Sequence, residues 1–151
     1  MDENEFKNVY ETVNDLRCVF EKAVLTRMYA CRHLVRMNIA EREAAGCASA
    51  AAQHQCGDFL ERTRRSAAFA LKLTHVSGPL PHAKELKVQC GGLLGLQACM
   101  VSGPPERPGV PDIYGLLDQA RREYGTLDEL PFPDMVKSVA HFQGRRRRSR
   151  R

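Results

Sequence analysis

The chain has 151 residues and a formal charge of +5, with 23 Lys and Arg against 18 Asp and Glu, a length that suits one domain rather than two. No apolar stretch approaches the roughly 18–20 residues that span a bilayer, and Met1-Asp2-Glu3-Asn4-Glu5 is acidic where a secretory leader would be basic and then apolar, so the expectation is an intracellular protein without a membrane partner. In that compartment the six cysteines are expected to be reduced and mostly buried rather than paired.

The first element is expected to be long. Between Glu3 and about Met37 there is no Gly or Pro, and Phe6, Val9, Val13, Leu16, Phe20, Ala23, Arg27, Ala30 and Leu34 alternate steps of three and four. This pattern predicts one heptad-patterned helix of about 50 Å. Its stripe, Phe6, Val9, Val13, Leu16, Phe20, Arg27 and Leu34, is the expected interface for a second copy of the chain or a helical protein partner. Arg27 stands at a core position of the stripe. It either pairs with a carboxylate from another helix or marks where the stripe rotates out to solvent.

Asn38-Ile39-Ala40-Glu41 reads as an N-cap with a carboxylate three residues on, predicting a second helix from there to about His75, stopped by Ser77-Gly78-Pro79. Its small face, including Ala45, Ser49, Ala52, Cys56, Leu60, Ala67 and Leu71, would admit another helix closely. A third helix is expected over about Pro81 to Val101. Gly91, Gly92 and Gly95 inside it read as close helix packing, since no strand-like run precedes them as a phosphate-binding loop requires. Four prolines between Pro104 and Pro111 make residues 102–111 a loop. Asp112 should cap a short helix ending near Tyr124-Gly125, and a last helical piece should run from Asp134 to about His141. No alternating strand pattern stands out. The expected class is all-α, an elongated bundle of about four to five helices, with a single domain over 1–143 and a basic tail over 144–151.

The cysteines offer the first chemistry to weigh. There is no Cys-x-x-Cys and no His-Glu-x-x-His. Cys47 and Cys56, like Cys90 and Cys99, are nine residues apart, which puts their sulfurs on opposite sides of a regular helix. No metal ligand, cofactor or catalytic residue is therefore expected. Glu43, Cys47, His54 and Asp58 would share a sector of about 60° on the second helix, together with Glu61, Arg65 and Lys72. That sector reads as a solvated face, with a Cys47–His54 site completed by another helix as the lesser alternative.

The tail is the most specific signal. Arg145, Arg146, Arg147, Arg148, Arg150 and Arg151 hold six of the 23 cationic residues, leaving 17 against 18 acidic ones in the body. Guanidinium forks pair with phosphate oxygens, and Ser149 between arginines is a candidate phosphorylation point whose added charge would weaken the tail. The expected function is that of a non-enzymatic, oligomerising helical protein that binds DNA or RNA without sequence preference, is directed to the nucleus by its tail, or both. Two alternatives stand beside it: a protein–protein adaptor or structural, perhaps viral, component whose tail serves only localisation, and a thiol- or metal-dependent protein built on the Cys and His residues.

Overall fold

A computed structural model of the chain describes residues 2–73 and 80–144. The arginine tail, Ser149 and the expected stop at Ser77-Gly78-Pro79 lie outside the described residues.

The chain opens with α1, Glu3–Val13, whose Asp2 carboxylate caps the first turn by accepting from the Glu5 backbone N–H at 2.8 Å. The helix stops at Asn14. That residue is buried, and its side-chain amide donates to the Ala45 carbonyl at 3.0 Å and to the Tyr10 hydroxyl at 3.1 Å. Asn14 thus spends its side chain on a tertiary contact rather than on solvent beside a continuing helix. The chain then runs extended past Leu16 and Arg17, makes the single turn α2, Glu21–Val24, and reverses at Arg27, which has a φ of 78°.

The all-α expectation fails at the next step. Leu34–Ile39 (β1) and Arg42–Cys47 (β2) form an antiparallel hairpin that pairs Leu34 with Cys47 and Ile39 with Arg42. Ala40 and Glu41 make the turn, both at positive φ, the geometry of a two-residue hairpin loop that Asn-Gly or Asp-Gly normally marks. The segment expected to cap a second helix is this turn. The fold is mixed α and β, and the 50 Å helix does not form.

The second long helix, α3, covers Ala50–Ala67, with Ser49 accepting from the Ala52 N–H at 3.1 Å. Helical structure resumes at α4, His82–Leu86, passes through a π turn at Lys87–Gly91 and continues as α5, Gly92–Met100. After the loop come α6, Ile113–Tyr124, a 3-10 turn at Leu127–Glu129, and α7, Phe132–His141. Gly125 ends α6 at a φ of 91°.

The core lies where α3, α5, α6 and α7 meet, around Phe59, Leu60, Leu93, Leu96, Leu117 and Met135. Phe20 joins it, its ring centroid 6.0 Å from that of Phe59. The glycines of the third helix act by close packing: a Cβ on Gly95 would lie 2.8 Å from the Met135 Cα, and one on Gly91 2.6 Å from the Val139 Cα. A buried polar chain ties α2 to this half of the molecule. The Ala23 N–H donates to Gln89 at 3.1 Å, the Gln89 amide donates to Glu85 at 3.1 Å, and Glu85 pairs with Arg64 of α3.

The residues of the expected heptad stripe are dispersed by this fold. Phe20 is in the core, Leu34 is half-buried on β1, and Phe6 and Val9 are half-buried on α1 beside the exposed Val13. Leu16 lies in the extended link. Arg27 is exposed and pairs with Glu43 of β2, a strand rather than a helix.

Candidate functional site: a pocket of four cysteines

Cys18, Cys31, Cys47 and Cys56 come from four separate segments and line one pocket. Cys18 follows the extended link, Cys31 precedes β1, Cys47 ends β2, and Cys56 sits on the second turn of α3. The pocket has a cavity of about 20 Å³ at the centre of about 330 Å³ of atom-free space that opens to solvent. Phe20, Leu34, Ala52 and Ile113 supply apolar wall, and His33 stands at one side.

Each segment is fixed by backbone pairing. The Cys18 N–H donates to the Ala45 carbonyl at 3.0 Å, and the Cys47 N–H donates to the Leu16 carbonyl at 2.8 Å, so the extended link lies on β2 as a partial third strand. Gly46 permits this approach: a Cβ there would meet Asn14 Oδ1 at 2.7 Å and the Leu16 carbonyl oxygen at 3.3 Å. The Cys31 segment is clamped on its other side. Ala30 donates to the Val110 carbonyl at 3.0 Å, Ile113 donates to the Ala30 carbonyl at 2.9 Å, and the Arg32 backbone N–H and guanidinium both donate to Asp112. Asp112 stands at the N-terminal end of α6, as expected from the sequence, and its carboxylate accepts from Arg32. The Arg32 pair and its hydrogen bonds hold the Asp112 carboxyl below its usual range, against the opposing effect of partial burial, which is the largest single influence.

Three of the four sulfurs receive a backbone N–H from two residues further on. His33 N–H points to Cys31 Sγ at 3.5 Å, Ser49 N–H to Cys47 Sγ at 3.5 Å, and the Phe20 N–H to Cys18. Burial pushes the Cys18 thiol up to about 11, with the neighbouring Cys31 and Cys47 and then Glu21 adding to the rise and the Phe20 N–H opposing it. Burial likewise pushes Cys56 up to about 12, reinforced by Cys31, Cys18 and Cys47. Both are neutral thiols at pH 7.

Among the described residues, no three His, Cys, Asp or Glu side chains stand where they could hold one metal ion. His33 is engaged elsewhere, its ring edge-on to Tyr114 at 4.8 Å between centroids.

The sequence reading placed Glu43, Cys47, His54 and Asp58 on one helical face. Glu43 and Cys47 are instead on β2, and His54 and Asp58 are exposed on α3. The opposition of Cys47 and Cys56 presupposed a helix that does not form; a strand, a corner and a helix bring them to the same pocket. Cys90 and Cys99 lie apart from it. Cys90 is buried on the π turn near Tyr29, and Cys99 is exposed. The pocket's one trace in the sequence is density, with four of six cysteines within residues 18–56.

Comparison with family models, with curated proteins and with solved structures finds no match.

Proposed function

We propose that this chain is a non-enzymatic protein whose arginine tail binds nucleic-acid phosphates without sequence preference, directs it to the nucleus, or both. The observation that carries this reading is the six arginines among residues 145–151 attached to a body of 17 cationic and 18 acidic residues. Guanidinium forks pair with phosphate oxygens.

A thiol- or metal-dependent role for the pocket fits less well. A reactive cysteine needs a lowered pKa and a cationic or helix-end neighbour, whereas burial holds Cys18 and Cys56 protonated, and among the described residues no three His, Cys, Asp or Glu side chains are placed to hold one metal ion. Titration of the full chain and of a chain lacking residues 145–151 against duplex DNA tests the reading. Binding should be lost with the tail, and equal affinity in both chains would overturn it.

A further inference from the structure

We infer that a cleft on the body, between α2, α3 and α4, binds a small organic molecule that carries a phosphate monoester. The site shares no residue with the arginine tail and does not rest on its role.

One face of α3 forms a wall of the cleft. Gly57, Leu60 and Arg64 follow at steps of three and four, so they stand on the same side of the helix. Lys22 of α2 and Arg17 before it line the space, as do Glu85 of α4 and Gln89 of the π turn. The cleft measures about 600 Å³, within the roughly 300–1,000 Å³ of small-molecule sites. It has a fixed polar floor. Glu85 and Gln89 are only 4% and 3% exposed, held by the bonds that run from the Ala23 N–H through Gln89 and Glu85 to Arg64.

The first argument is the glycine. Gly91 and Gly95 are required by packing, since a Cβ on either would run into the backbone of α7 at 2.6 or 2.8 Å. Gly57 has no such reason. Among the described residues a Cβ there meets nothing within 4 Å, although a glycine inside a helix lowers stability relative to alanine. The packing of the chain does not ask for this residue, and the room beside it belongs to the cleft.

The second argument is charge. Three cations, Arg17, Lys22 and Arg64, line the cleft against the one carboxylate of Glu85. Glu85 is committed to Arg64, with Arg64 Nε at 3.2 Å, and Arg17 lies 3.6 Å from Glu21, which also accepts from Tyr10 and Ala45. Lys22 pairs with no carboxylate among the described residues. Its Nζ stands 2.9 Å from His82 Nδ1, and because an ammonium can only donate, that ring nitrogen is a neutral acceptor. A phosphate monoester carries a charge of about −1.5 to −2 at pH 7 and offers three acceptor oxygens, which suits this surplus of charged donors better than a singly charged carboxylate does. Val19 and Leu60 give the organic part an apolar wall. A bare inorganic anion would leave that wall and most of the volume unused.

The test is isothermal titration of the full chain with phenyl phosphate, beside inorganic phosphate and phenol. Phenyl phosphate should fill about one saturable site per chain and bind more tightly than either of the other two. Lys22→Met should weaken it by about tenfold or more, as the loss of one charge-assisted hydrogen bond implies. Gly57→Leu should abolish binding by filling the cleft, with far-UV circular dichroism reporting that the variant is folded, and Gly57→Ala should raise the thermal midpoint of the free chain. A chain lacking residues 145–151 should bind phenyl phosphate as the full chain does, which separates this site from the tail. Absence of saturable binding by the wild-type chain, or equal affinity in wild type, Lys22→Met and Gly57→Leu, would overturn the site. A midpoint lowered by Gly57→Ala would show that the fold itself requires the glycine and would overturn the first argument. Inorganic phosphate bound as tightly as phenyl phosphate would overturn the organic ligand, and binding lost with the tail would assign the phosphate to the arginines instead.

Discussion

Glu21 is the residue on which the Cys18 segment is hung. Its carboxylate accepts from the Tyr10 hydroxyl at 2.8 Å and from the Ala45 N–H at 2.9 Å, joining α1, α2 and β2 beside the pocket. Burial first, and then the Glu21 hydrogen bond and charge, push Tyr10 up to about 12 from its ordinary 10.0. A raised folded-state value means that the neutral phenol is the favoured form, so this contribution to stability is complete below pH 10 and disappears as pH rises through 12. The stability advantage of wild type over Tyr10→Phe, measured by urea denaturation, should therefore be flat up to pH 10 and shrink above it. A difference that stays constant to pH 12 would contradict this role. None of these partnerships is readable from the sequence. Tyr10, Asn14 and Glu21 look like ordinary surface residues of an amphipathic helix until the hairpin supplies the Ala45 carbonyl and N–H.

At the scale of elements, the third helix and the hairpin show opposite degrees of legibility. Gly91 and Gly95 point to close packing by their residue type alone, and α7 lies against them. Gly95→Ala should cost about 1–3 kcal/mol, because the added methyl meets the Met135 backbone, which cannot swing aside like the end of a side chain. An unchanged midpoint in chemical denaturation would show that α5 and α7 can separate at no cost. The hairpin is hidden for a physical reason. Its turn takes positive φ at Ala40 and Glu41, residues that advertise no such conformation, and Leu34 on β1 happens to continue a spacing of three and four from α1. Local periodicity reads as helix there, whereas pairing with β2 and the link through Arg17 decides the outcome. The candidate site inherited that error. Ligand angles reckoned along a continuous helix separate sulfurs that the hairpin corner brings together.

For the whole molecule, the proposed function rests on the tail, and the body is a separate, nearly neutral fold. The body carries 17 cationic and 18 acidic side chains, so the excess positive charge belongs to the tail. Deleting residues 145–151 should abolish polyanion binding and leave helicity unchanged. If all six arginines of the full chain engage duplex DNA, the log-log slope of affinity against salt should be about −5. Undiminished affinity in the truncated chain would move the binding site to the body. The pocket, by contrast, belongs to the fold itself: α1, the hairpin, α3 and the loop leading into α6 all fix the segments that carry its cysteines.

The most direct measurement of the proposed function is the affinity for duplex DNA, across a range of salt, of the full chain and of the chain lacking residues 145–151. The full chain should bind with a salt-dependent affinity and the truncated chain should not bind. Equal affinity in the two chains would contradict the account.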